Sequence, residues 1–142
     1  REGWSCRLNG GHPEIWYGID GVTAVAVTSV APALIVPADG NWHYIAFIFG
    51  QQVNSSSGNN IYFYVDGVSE RADLSSTCQN SVTNLNFGYE WDGSTQGNFF
   101  NGSIDELAYW SLPEYISWDS IEATLARRND GLQYGTTKML FY

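Results

Sequence analysis

Basic residues are scarce in this chain. Six Lys and Arg stand against fifteen Asp and Glu in 142 residues, for a net charge of −9. Only Arg127 and Arg128 are adjacent, so no cationic run exists to neutralise a track of phosphates. That excludes nucleic-acid binding and disfavours adsorption to an anionic membrane. Long apolar runs are also missing. The longest, Val22 to Pro37, is interrupted by Thr23, Thr28, Ser29 and Pro32 and is too short to span a bilayer, so no membrane insertion is expected. Histidine and cysteine are limited to His12, His43, Cys6 and Cys78, and none of these has the spacing of zinc ligands. The sequence contains no G-x-S-x-G nucleophile elbow. It also lacks the closely spaced Glu-x-Asp-x-x-Glu that would line up paired glycosidase carboxylates on one strand. The expectation is a protein that is not an enzyme, with His43 in a structural role.

What is abundant points to strands. Aromatic residues make up 15% of the chain and charged residues only 15%, which argues against disorder. Asp-Gly pairs begin at Asp20, Asp39, Asp66, Asp92 and Asp130, and Asn-Gly pairs at Asn9 and Asn101. Between these turn signals lie short runs rich in β-branched and aromatic residues: Glu14–Ile19, Val22–Val30, Trp42–Phe49, Ile61–Val65, Asn84–Gly88 and Ser103–Trp110. Many short strands separated by regular turns predict an all-β sandwich or barrel. Trp42–Phe49 is apolar on both parities, as a strand covered on both sides requires. In Ile61–Val65 one parity suits the core, and the tyrosines of the other are expected to keep their hydroxyls wet. The polar stretch Gln51–Asn60 reads as a hairpin connection. One segment departs from the pattern. Ser117–Asn129 predicts a short C-terminal helix, with Ser117 as N-cap, Trp118, Ile121 and Leu125 on one face, and Gly131 as the stop.

Three segments in order carry a family resemblance: NWHYIAFIF at Asn41–Phe49, IYFYVDGV at Ile61–Val68, and FNGSIDELAYW at Phe100–Trp110 leading into the helical segment. Over roughly residues 41 to 128 the chain resembles laminin-G-like, concanavalin A-like jelly-roll domains. The resemblance implies an antiparallel two-sheet sandwich over a single domain, residues 1–142, from which the family's first strands are missing. It also implies a calcium site in which Asp105 matches the family's Ile-Asp-Glu aspartate, with Asp92 and Asn101 as candidate partners. The alternative role for Asp105 is to cap a loop by hydrogen bonds.

Other candidate sites come from the residues themselves. The segment from Tyr89 and Trp91 to Phe99 places aromatic rings beside amides, which is the chemistry of a glycan or protein ligand site; the alternative is that these rings fill the rim of the sandwich. Cys6 and Cys78 are either two buried thiols or one disulfide. The composition suits an extracellular or cell-surface protein, and there the disulfide is expected. Asn54 and Asn101 begin N-glycosylation sequons, Asn54 in a polar loop and Asn101 partly shielded before a strand.

The leading functional expectation is a non-catalytic recognition or adhesion module. Its partner would be a glycan or an extracellular protein. The alternative is a structural subunit of a self-assembling filament or coat. A sandwich short of strands exposes an edge, and the apolar tail Thr136–Tyr142 has two possible seats. It folds back into its own domain, or it is donated to a neighbour's sheet by strand complementation.

Overall fold

The structure is a computed structural model that describes residues 3–51, 59–76, 85–91, 94–105, 107–109, 123, 125–126 and 140–141. Two sheets face each other across a core. The first has three antiparallel strands in the order β1-β2-β3: β1 Trp4–Asn9, β2 His12–Gly18 and β3 Ala24–Thr28. The second runs β6-β5-β4-β10-β9: β4 Ile45–Gln51, β5 Asn59–Val65, β6 Val68–Leu74, β9 Ala108–Tyr109 and β10 Leu140–Phe141. A small two-stranded ribbon pairs β7 Glu90–Trp91 with β8 Gln96–Gly97.

Two Gly-containing turns set the registers. Gly10 and Gly11, both at positive φ, close β1 onto β2 so that Asn9 lies opposite His12. Asp66 (φ 47°) and Gly67 (φ 96°) close β5 onto β6 with Val65 opposite Val68. Positive φ at both central positions matches the right-handed twist of the flanking strands. The Asp66-Gly67 turn and the Asn9-Gly10 turn both stand where the sequence puts a turn signal.

Alternation then places Ile15 and Tyr17 of the first sheet against Ile45, Phe47, Ile61, Phe63 and Val65 of the second, with Leu34 and Leu74 completing the core. Phe47 and Phe63 lie directly opposite in register, with ring centroids 6.0 Å apart and planes at 84°. Full burial of such side chains contributes roughly 1.5–3 kcal/mol each. Polar ties cross between the sheets. The Tyr17 hydroxyl accepts from the Ser75 amide at 3.0 Å, and the Glu70 carboxylate accepts from the amides of Val30 and Ala31 at 3.0–3.1 Å.

The opposite parity of β4 and β5 is buried as well. Ala46, Ile48 and Asn60 are inaccessible to solvent, so the both-sided reading of Trp42–Phe49 describes β4 correctly. The tyrosines correct another expectation: Tyr62 is 5% exposed and Tyr64 1%, so this face is covered rather than wet. Tyr64 packs edge-on against Tyr44 at 5.7 Å. Leu125 is fully buried and helical, as are Ala123 and Ala126 in conformation. The rest of the expected helix over Ser117–Asn129 lies outside the described residues.

Several strands differ from their sequence assignments. β1 and β6 form although their polar sequences, WSCRLN and VSERADL, did not signal strands. Among the described residues of the run Ser103–Trp110 only Ala108–Tyr109 is a strand. Residues 85–88 of the run Asn84–Gly88 are not in a strand. β10 takes the fold-back seat, lying parallel to β4 on one side and to β9 on the other. All other strand pairs described are antiparallel.

Candidate functional site

β1 and β2 turn one parity toward the core and the other outward. The outward parity is polar: Arg7 and Asn9 on β1, Glu14 and Trp16 on β2. These side chains converge on one carboxylate. Glu14 is only 3% exposed. Its Oε1 accepts from Arg7 Nε at 2.6 Å and Trp16 Nε1 at 2.7 Å; its Oε2 accepts from Asn9 Nδ2 at 3.0 Å and from the Thr28 hydroxyl. Four donors use the acceptor capacity of the two oxygens. Burial pushes the Glu14 carboxyl up, but the hydrogen bonds from Thr28, Asn9, Arg7 and Trp16 outweigh it and hold the pKa at about 2. Glu14 is therefore ionised at neutral pH and cannot serve as a general acid.

Arg7 links this cluster to the rim. Its guanidinium lies 4.5 Å from the centre of the Trp16 ring, and its Nη1 lies 3.7 Å from Glu90 Oε2 on β7. Glu90 Oε2 also accepts from Asn98 Nδ2 at 2.6 Å. Asn98 holds a left-handed backbone (φ 48°), which asparagine tolerates better than most residues. The residues flanking this pair also meet: Tyr89 and Phe99 have ring centroids 6.3 Å apart with planes at 39°. The Tyr89 hydroxyl donates to Asn86 Oδ1 at 3.0 Å, and the Phe100 amide donates to the Gly88 carbonyl at 2.8 Å.

The rim is apolar and open. Phe99 is 66% exposed, and Leu85, Phe87 and Phe100 are exposed too. Phe99 therefore does not fill the rim of the sandwich, which was the alternative reading of these rings. Tyr89 is half-buried. Trp91 lies on β7, but its side chain is outside the described residues.

The chain matches a laminin-G family model described as the concanavalin A-like lectin/glucanases superfamily over residues 1–118. It belongs to this superfamily. No curated protein and no solved structure matches it. Of the three candidate ligand residues, Tyr89 and Phe99 stand together on the rim, and Trp91 follows on β7. Sequence reasoning missed Arg7 and Glu14, whereas Glu90 and Asn98 lie within the segment it marked for a ligand. The one available signal was Glu14 itself, a carboxylate inside an otherwise apolar and aromatic strand.

The remaining candidates are placed as follows. Asn101 and Asp105 are exposed on the segment before β9. Asp105 is not on a strand, although it lies within the run Ser103–Trp110 that the sequence reads as one. Asn101 is not shielded. Asp92, Asn54, Cys78 and Glu106 lie outside the described residues. Among the described residues no three of His, Cys, Asp and Glu are grouped to hold a metal. Cys6 is on β1, partly buried against the core.

His43 is structural in its contacts. Its Nδ1 lies 2.6 Å from Asp66 Oδ2 and its Nε2 3.0 Å from Asp39 Oδ1. Both ring nitrogens are thus committed to carboxylates, leaving neither free to abstract a proton. Asp66 Oδ1 also accepts from the Tyr44 amide at 2.8 Å, which supports the left-handed Asp66 backbone.

Proposed function

We propose that this domain is a non-catalytic, extracellular recognition module that binds glycan through the rim formed by residues 85–105. The observation that carries this reading is the open Phe99 ring tilted on Tyr89 next to the hydrogen-bonded Glu90–Asn98 pair. An aromatic face takes the apolar CH face of a sugar ring, and a carboxylate with an amide takes its hydroxyls. The four donors on Glu14 saturate its oxygens and leave it no free lone pair for a substrate. Its four donors make it a brace for Arg7, which reaches the rim.

Glycan-array binding of the domain, repeated with Phe99→Ala, tests this. The expected result is binding that the substitution removes while the melting temperature stays within a degree or so of the parent, since an exposed ring adds little stability. Binding that survives Phe99→Ala moves the site elsewhere. The proposal includes calcium as an ordering ion for the loop of Asn101 and Asp105, oxygen ligands of the type calcium prefers. A lower melting temperature in chelator, reproduced by Asp105→Asn, supports the ion; an unchanged curve removes it.

A further inference from the structure

The rim is poor in positive charge in a specific way. No Lys or Arg occurs between Arg71 and Arg127, a stretch that includes the whole of residues 85–105. Arg7 reaches the rim from the three-stranded sheet, but its charge is already committed. Nε donates to Glu14, Nη1 faces Glu90, and one face covers Trp16. That local group has one cation against two carboxylates. Arg71 is paired with Asp73 at 2.9 Å. The polar pair beside the rings, Glu90 and Asn98, offers one carboxylate and one amide.

An anionic group brought to this pair meets a like charge and, among the described residues, finds no uncommitted guanidinium. Recognition of carboxylate, sulfate or phosphate by proteins relies on such donors, often as bidentate contacts. A hydroxyl pays no such cost. It donates to Glu90 and accepts from Asn98, and the same sugar lays its CH face on Phe99. We infer that the Glu90–Asn98 pair, with the Tyr89–Phe99 rings, forms a subsite for an uncharged sugar unit and rejects uronate, sialylated and sulfated glycans. This inference rests on the glycan reading of the rim and names the ligand class for it. Arg7 acts here as a positioning residue, holding Glu90 toward Asn98, and not as an anion receptor.

The test uses two probe sets on the whole chain: neutral β-glucan, xylan and galactan oligosaccharides, and anionic polygalacturonate, hyaluronan and heparin oligosaccharides. Affinities are measured at low and at physiological salt. The expected result is binding to at least one neutral set, weakened about tenfold or more by Glu90→Gln or Phe99→Ala, a loss of about 1.4 kcal/mol. That binding should be insensitive to salt, because no ion pair forms with the ligand. Gln96→Lys, on the exposed β8 position next to this pair, should add weak, salt-dependent binding of the anionic set. Preferential binding of anionic glycans by the parent chain, lost in Phe99→Ala, overturns the uncharged class while leaving the rim as the glycan site. Binding to neither set overturns the glycan reading itself. Circular dichroism of each variant separates loss of binding from loss of fold.

Discussion

Arg7 stacks over Trp16 at 4.5 Å while both side chains donate to the same oxygen of Glu14. A cation held by one carboxylate and flattened on an indole is fixed in two directions at once. This is how a side chain on β1 gives the rim hairpin a firm anchor at Glu90.

Glu14 should make the domain acid-sensitive. Its folded pKa of about 2 lies below the ordinary 4.5, so its contribution is fully present above pH 4.5 and is lost as pH falls through 2. A depression of that size corresponds to about 3 kcal/mol. Urea unfolding at pH 7 and at pH 3 reads about 2 kcal/mol of it, the part lost by that pH, and Glu14→Gln should remove most of the difference. A Glu14→Gln variant as acid-sensitive as the parent would show that other groups carry the effect.

His43 titrates with the opposite sign. Burial pushes its pKa down, but Asp66 and Asp39 outweigh this and raise it above 6.5. The imidazolium therefore supports the fold fully below pH 6.5, and the support fades as pH rises through the raised value. His43→Gln should flatten the alkaline side of a plot of Tm against pH. A parent Tm that does not decline there counts against the two ion pairs. Asp39 is held at about 2, chiefly by His43 and then by the Asn41 amide, so its own contribution disappears only in strong acid.

Gly10 and Gly11 should differ in their tolerance of side chains. A Cβ at Gly11 (φ 87°) meets Ile35 Cγ1 at 2.9 Å and the Val36 carbonyl oxygen at 3.0 Å, whereas nothing lies within 4 Å at Gly10. Gly11→Ala is expected to cost about 2 kcal/mol or more through left-handed strain and crowding. Gly10→Asn should cost only a few tenths, because asparagine suits this turn position. Equal losses from thermal melts of the two variants would contradict the crowding by Ile35.

Cys6 and Cys78 are proposed to form a disulfide, and intact mass under non-reducing conditions should be lower by the hydrogens of both thiols. Reduction should then cost about 4 kcal/mol, the loop-closure value for a loop of this length. Two alkylatable thiols in the native protein would end this proposal.

The hairpins were legible in the sequence because Asp66-Gly67 and Asn9-Gly10 announce positive φ locally. β4 was legible because Trp42–Phe49 is apolar on both parities. β6 was not, because Ser69, Glu70, Arg71 and Asp73 read as loop chemistry; seven-residue pairing with β5 overrides their weak strand propensity. The site shows the same division. Tyr89 and Phe99 were visible as aromatic residues in a polar loop. The Arg7–Glu14–Glu90 chain was not, since its members become neighbours only once β1 and β2 are in register and β7 approaches them.

Removing residues 136–142 should destabilise the domain rather than release an assembly. Leu140 and Phe141 sit between β4 and β9, opposite Ala46 and Phe47 on one side and Ala108 and Tyr109 on the other. The truncated chain is expected to melt earlier, with the same sedimentation as the parent. A truncated chain that keeps its Tm but loses self-association would favour donation of the tail to a neighbour.

The seat of β10 also sets an order of events during synthesis. Ala46 and Phe47 leave the ribosome long before their partners Leu140 and Phe141 exist. Until residue 141 emerges, β4 and β9 both lack this partner, so the five-stranded sheet cannot be completed before then. From the emergence of β4 until that of β10 the domain must carry an open apolar edge, and its folding yield in a cell depends on what shields that edge in the interval.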